Sequence, residues 1–164
     1  NDTTRYSMAS SIHAIANNPY IFNCLKSAPD DASVWDSATE EFLRWASPTI
    51  HFRRTATEDY KLHGKQIREG DKVTIWFTSG NYDERKFSNP FNLILERENN
   101  NHIAFGQGGP HVCLGMWLAR LEVRVVMQEL LKRVSKIEQI APEKYLRSNF
   151  IRGIKNLPIK LTSA

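Results

Sequence analysis

Cys113 is the residue of this chain best placed to do chemistry. It stands in Phe105 to Glu122, read as FGQGGPHVCLGMWLARLE, between a glycine-rich loop and an amphipathic stretch. A thiolate is a nucleophile and a metal ligand, and it stays ionised where backbone N–H groups or positive charge face the sulfur. The loop carries Gly106, Gly108, Gly109 and Gly115 around the cysteine. That many residues without a Cβ let something flat approach the backbone closely. Taken alone, a cysteine before a core helix reads as a small inert hydrophobe, and the surrounding glycines tip the reading toward a ligand. The other cysteine, Cys24, reads as a small buried residue on a helix.

Further polar groups sit at suggestive spacings. Asp2 and Thr3 are an acid–alcohol pair, although each is also a good helix N-cap. Glu41 and Arg44 are three apart, which on a helix surface is an ordinary contact worth a few tenths of a kcal/mol. Arg54, beside Arg53, opens Arg-Thr-Ala-Thr, and a planar guanidinium suits a carboxylate in two-pronged fashion. The alternative for Arg54 is cross-strand charge pairing. A lone His51 reads as a pocket wall or a satisfied polar group. Arg120, Arg124, Lys132 and Arg133 read first as solvated charges.

These residues need elements to hold them. The pattern predicts helix from Asn1 to about Asn17, a stop and restart at Pro19, a short helix from Tyr20 to Lys26, and a break at Pro29-Asp30-Asp31. Val34 to Trp45 is a stronger helix, with Val34, Ala38, Phe42 and Trp45 at helical spacing. Thr49 to Lys61 alternates and predicts strand, and Lys65 to Thr78 predicts two more around Glu69-Gly70-Asp71. Ser79 to Glu84 reads as a short helix or turn. Lys86 to His102 is turn-rich and irregular, a loop length uncommon unless functional. Leu114 to Val134 predicts a second long helix with the apolar stripe Leu114, Trp117, Leu118, Leu121, Val125 and Leu131. Tyr145 to Leu161 predicts two strands about a turn at Gly153.

The stretch around Cys113 resembles the haem-ligand loop of the cytochrome P450 family. Phe105, Gly106, Gly108, His111, Cys113 and Gly115 stand at the motif positions, and LARLE opens the following helix as it does in that family. The loop is one residue longer than the shortest form of the motif, with Gly109-Pro110 taking up the extra length as in some bacterial branches. Glu41 and Arg44 resemble the family's Glu-x-x-Arg signature, and Asp2-Thr3 its acid–alcohol pair. HFRRTAT, NYDERKF and SNFIRGIKNLPI look most like soluble bacterial members that act on methyl-branched lipids, sterol side chains and terpenes.

The resemblance implies a mainly α fold with small β-sheets (α+β): the C-terminal part of the cytochrome P450 fold, from the middle of the long distal helix through the cysteine loop and the final helix. Residues 1–164 would then be the C-terminal haem-binding portion of a single domain whose N-terminal half is absent. It implies haem b, with Cys113 as axial ligand and Arg54 and His111 on the propionates. Asp2 and Thr3 would deliver protons for dioxygen activation. Glu41 and Arg44 would form a buried structural ion pair completed by Arg97. Thr49, Ile50, His51, Phe52, Phe150 and Ile151 would border the substrate, and Arg120 would face the electron donor. Asn81-Tyr82-Asp83 stands where many relatives have Asn-Arg-Asp, with the loss of one surface contact expected. The implied reaction is hydroxylation of a hydrophobic substrate by O2, with electrons from NAD(P)H through a ferredoxin and its reductase. The competing expectation is a truncated non-catalytic fragment or a haem-binding module.

Composition sets bounds on this reading. With 164 residues, 41% hydrophobic and 24% charged, the chain can build one ordinary core. No apolar run is long enough to span a membrane. A net charge of +4 with no basic stripe of interleaved aromatics argues against nucleic acid and fits an acidic protein partner. Sparse cysteine without a visible signal peptide points to a reducing compartment, and so to the cytoplasm.

Overall fold

The computed structural model describes residues 2–164, so Asn1, which the sequence reading includes in the first helix, lies outside the described residues. Helix α1 runs Asp2–Ala16 and buries Ser7, Ser11 and Ile15 on one face. Each serine hydroxyl donates to the carbonyl four residues back, Ser7 Oγ to Thr3 at 3.1 Å and Ser11 Oγ to Ser7 at 2.8 Å. These small satisfied side chains let α1 lie close to its neighbours. Helix α2, Pro19–Ser27, is capped by Asn18, whose side chain accepts from the Ile21 N–H, and opens on proline, whose missing N–H is harmless there. Helix α3, Ala32–Ala46, is capped by Asp31 and stops at Ser47, which takes a left-handed φ of 37°.

The strands form nested hairpins rather than the single long strand expected from Thr49 to Lys61. β1, His51–Thr55, pairs antiparallel with β4, Lys72–Trp76, while β2, Tyr60–Leu62, pairs with β3, Lys65–Ile67, inside them. The interruption lies at Ala56, whose N–H and carbonyl bond to Asp71 and Gly70 and so close the outer hairpin. The short helix α4, Phe77–Asn81, follows, two residues earlier than the sequence placed it.

Helix α5 covers Met116–Arg133, shorter at both ends than predicted. Val134 begins a strand, β5, Val134–Gln139, which the sequence reading lacks. The carbonyls of Leu131 and Val134 at this junction both accept from the Lys26 ammonium at 2.6 Å, so the helix end is satisfied without a terminal glycine. β6, Lys144–Tyr145, pairs with β7, Ile154–Asn156, and β8, Ile159–Ser163, returns to pair with β5. The tail thus holds strands, but the expected turn at Gly153 is displaced: the bend lies at Asn149-Phe150, and Gly153, whose carbonyl accepts the Leu146 N–H at 2.8 Å, leads directly into β7.

The core gathers Ile15, Ile21, Leu25, Trp35 and Phe42 from the first three helices against Val123, Met127 and Leu131 of α5. This corrects the predicted stripe on α5. Leu131 is buried, but Leu114, Trp117, Leu118, Leu121 and Val125 are exposed, Leu114 at 98%. The helix has two apolar faces, and the one that carries Val123, Met127 and Leu131 meets the core. Between α3 and the irregular segment before the cysteine loop lies a buried ion cluster. Arg44 grips Glu41 with two bonds of 2.8 Å, and Arg97 Nε reaches the same carboxylate at 3.0 and 3.1 Å. The remaining guanidinium N–H groups donate to the carbonyls of Asn81, Ser88, Pro90 and Asn92. One carboxylate thus holds an otherwise structureless loop in place, and breaking such a buried pair costs on the order of 3–5 kcal/mol.

Candidate functional site

A cavity of about 520 Å³ lies between α1 on one side and the cysteine loop on the other. Thr3, Thr4 and Ser7 line it from α1, and Phe105, His111 and Cys113 from the loop. The β1 side contributes Thr49 and Phe52, and Phe77 closes that wall. The sequence has no way to place α1 opposite Cys113, some 110 residues away, and the core packing of α1 on α3 and α5 does so.

Cys113 is a free, exposed thiol. Its N–H donates to the Phe105 carbonyl at 2.9 Å, which closes the loop on itself. Gly106, Gly108 and Gly109 carry φ values of 75°, 67° and 72°, which side chains rarely adopt, so the turn needs glycine at all three. No protein atom lies within 4 Å of where a Cβ would stand at Gly108, Gly109 or Gly115. Helix α5 begins three residues after Cys113 with no side-chain cap, so the positive end of its dipole lies beside the sulfur. One cysteine sulfur in a loop with open space over its glycines suits a flat metal chelate that needs a single protein ligand. The residues present therefore fit haem.

The other candidates divide. Phe105, Gly106, His111, Cys113 and Gly115 meet at the loop, and Thr3 faces them across the cavity. Asp2 is not on the cavity wall; its side chain is 82% exposed and pairs with Arg5 at 3.3 Å. Arg54 lies on the same face of β1 as Phe52, with its guanidinium 5.8 Å from the ring centre, while the alternating Arg53 points to the other face. The described hydrogen bond of the Arg54 side chain is to the Arg53 carbonyl, so the fork stays available for a carboxylate.

Of the six expected substrate neighbours, Thr49 and Phe52 line the cavity. Ile50, His51, Phe150 and Ile151 form the layer behind them. Ile50 N–H donates to the Phe150 carbonyl at 2.9 Å, and Ile151 bridges Thr49. The rings of Phe52 and Phe150 stand 5.6 Å apart, and His51 lies edge-on to Trp76 at 4.7 Å. His51 Nδ1 is buried without a hydrogen-bond partner.

Arg120, expected to face the electron donor, is held by an acid. Its guanidinium makes two bonds to Glu40, at 2.6 and 2.9 Å, and stacks on Phe105 and Trp117. Arg124 pairs with Asp36, Lys132 with Asp30, and Arg133 with Glu129. The cations of α5 are therefore engaged by acids, chiefly those of α3 and the turn before it. Tyr82 also differs from expectation. Its hydroxyl donates to the Trp45 carbonyl at 2.6 Å and accepts from Arg152 at 3.1 Å, tying the tail to α3 instead of marking a lost surface contact.

Two residues beside the site, His102 and Glu40, have no assigned role in the sequence reading, and a third, Asn81, enters it only as part of Asn81-Tyr82-Asp83. Asn81 is buried and uses its side chain to join Ser47 at 2.8 Å to the Ile103 N–H at 2.7 Å, which fixes the approach to Phe105. His102 and Glu40 face each other at 3.1 Å. The only sequence signals were adjacency: Glu40 precedes Glu41, and His102 stands three residues before Phe105.

Comparison with known proteins bears on the whole arrangement. A methyl-branched lipid omega-hydroxylase of Mycobacterium bovis is 40% identical over 159 residues, which is 97% of this chain and 37% of that protein. Linalool 8-monooxygenase of Pseudomonas putida is 40% identical over 161 residues, 98% of this chain and 39% of that protein. Among solved structures, CYP108D1 of Novosphingobium aromaticivorans superposes with a TM-score of 0.93 at 38% identity, covering 100% of this chain and 39% of that one. A Mycobacterium marinum cytochrome P450 in complex with pseudoionone gives 0.91 at 39% identity, covering 97% and 38%. The chain spans about two fifths of the length of the curated relatives it matches. The family model described as Cytochrome P450 matches residues 33–161, and on that match, with the fold shared along its full length, the chain belongs to the cytochrome P450 family.

Proposed function

We propose that this chain carries the catalytic centre of a haem-thiolate monooxygenase that inserts one atom of O2 into a C–H bond of a hydrophobic substrate. Substrate, O2, two electrons and two protons give an alcohol and water. The carrying observation is the free thiol of Cys113 on a cavity wall whose glycines leave open space, with the Thr3 helix across from it. Haem bound there supplies the oxygen chemistry, and a thiolate ligand favours O–O cleavage.

The chain's own residues do the rest. Cys113 gives the ligand sulfur, and the loop glycines leave its face open. Arg54 and His111 neutralise the carboxylates of the bound group. Thr3 offers a hydroxyl over the cavity that can pass a proton inward, and exposed Asp2, next in the chain, exchanges protons with water. Phe52, backed by Phe150, gives the substrate an apolar wall. Methyl-branched lipids, sterol side chains and terpenes are the substrate class, consistent with the branched lipid and linalool named for the two relatives. Electrons would come from NAD(P)H through a ferredoxin and its reductase. The site would work in the cytoplasm, and no helix among the described residues is long and apolar enough to cross a membrane. The second reading, a haem-binding or interaction module without turnover, is favoured by the broad exposed apolar face of α5.

The carbon monoxide difference spectrum of the full-length, haem-loaded, reduced protein tests the assignment. A strongly red-shifted Soret band is expected, and it should vanish in Cys113→Ala. An unchanged spectrum in that variant removes Cys113 as ligand. Turnover of a branched lipid or terpene by the loaded protein separates the enzyme from the module.

A further inference from the structure

The carboxylate of Glu40 sits behind the cysteine loop and is held from two sides. Both its oxygens accept from Arg120, at 2.6 and 2.9 Å, and Oε2 lies 3.1 Å from His102 Nε2. The His102 ring has one orientation and one tautomer. Its Nδ1 accepts the Ala104 N–H at 3.2 Å, so the ring proton is on Nε2 and is donated to Glu40. The ring is 2% exposed, so water does not compete for that bond.

From Glu40 the contacts lead toward the thiol. The Arg120 guanidinium stacks on the Phe105 ring with its carbon 4.8 Å from the centre, and the His102 ring lies 5.9 Å from it. Phe105 lines the cavity beside Cys113, and its carbonyl accepts the Cys113 N–H. Arg120 Nη1 is buried with no acceptor, so Glu40 carries all of the described side-chain compensation for this cation. A half-buried charge pair acts on its surroundings as a small dipole, and removing either member leaves a full charge in a medium of low effective dielectric.

We propose that Glu40, oriented by His102, is a positioning residue that cancels the charge Arg120 holds against Phe105 and thereby sets the electrostatic potential at the Cys113 site. The inference rests on Cys113 as the iron ligand. It also gives Arg120 a task that does not require a free cation for a partner protein.

The measurement is the reduction midpoint potential of the full-length, haem-loaded protein, with a carbon monoxide spectrum recorded on each sample. Glu40→Gln keeps the shape and leaves an uncompensated cation, which favours the reduced state, so the potential moves positive. Arg120→Gln leaves an uncompensated anion, so the potential moves negative. The double variant returns close to the parent. Opposite signs are the signature, because a merely structural role shifts both single variants the same way or neither, and that result overturns the proposal. If Glu40→Gln does not fold, Arg120→Lys decides. It keeps the charge but loses the two-pronged grip, and a potential displaced as far as in Arg120→Gln overturns the proposal. A parent protein without the red-shifted band overturns the reading of Cys113 and this inference together, whereas a normal band with unmoved potentials overturns this inference alone.

Discussion

Glu40 shows what a residue's neighbours do to its chemistry. Burial favours the neutral acid and would raise its pKa, but hydrogen bonds from His102 and Arg120 outweigh that and bring it from 4.5 to about 2. The charged form is thus better held in the folded state than in the unfolded one. Its contribution is present in full above about pH 4.5 and is lost as pH falls through about 2. The shift corresponds to roughly 2–3 kcal/mol, with the side chain still 29% exposed and partly screened. Urea denaturation of the parent and of Glu40→Gln should differ by about that much at pH 7, with the gap closing toward pH 2. A gap independent of pH would mean that the carboxylate charge does not stabilise the fold. Cys113 stood out by its glycine-rich loop, and Glu41 with Arg44 by a short motif that resembles a family signature, because those companions lie within a few positions along the chain. Glu40 did not, because Arg120 and His102 are 80 and 62 residues away and ordinary by type. The same distance explains Arg120. Without its acid partner in view, it reads as a free surface cation.

At the scale of elements, the clearest case is the tail against α1. A Cβ at Gly153 would stand within 2.7 Å of three ring atoms of Tyr6, a clash. The tail loop and α1 approach backbone to ring, a closeness that only glycine allows. Gly153→Ala should therefore destabilise the protein by about 1–3 kcal/mol in thermal or urea denaturation. In the Tyr6→Ala background the same change should cost much less, because the clash is gone. Equal costs in the two backgrounds would show that the backbone itself, and not the contact, requires glycine. The sequence reading put a turn at Gly153, whereas the bend falls at Asn149-Phe150 and Gly153 leads directly into β7, and it could not name the helix pressed against it. It also missed β5, since Val134 to Gln139 follows α5 without a breaker and its partner β8 is 20 residues further on. Strand pairing of that kind is a tertiary event, and a one-dimensional pattern carries no record of it.

Over the whole molecule, the apolar surface is large. Trp117, Leu118, Leu121 and Val125 lie exposed along α5, with Leu114 fully exposed at its start. A contiguous apolar face of this kind binds other surfaces. The 164-residue chain by itself should bind a hydrophobic dye strongly and elute in size-exclusion chromatography as more than a monomer. Weak dye binding by a clean monomer would mean that the face is covered by rearrangement. The amino-acid sequence alone pointed to the family, the α+β class, the glycine-rich cysteine loop and the pairing of Glu41 with Arg44. Those features are written in local spacing, where residue type and backbone demand coincide: glycines at positive φ, a cysteine before a helix, and an acid three residues from an arginine. The tertiary structure decided which face of α5 meets the core, which hairpins nest, how Glu40 and Arg120 meet, and that Thr3 faces Cys113. Each of those depends on groups far apart in the chain being brought together, and only the packing of α1, α3 and α5 into one core does that.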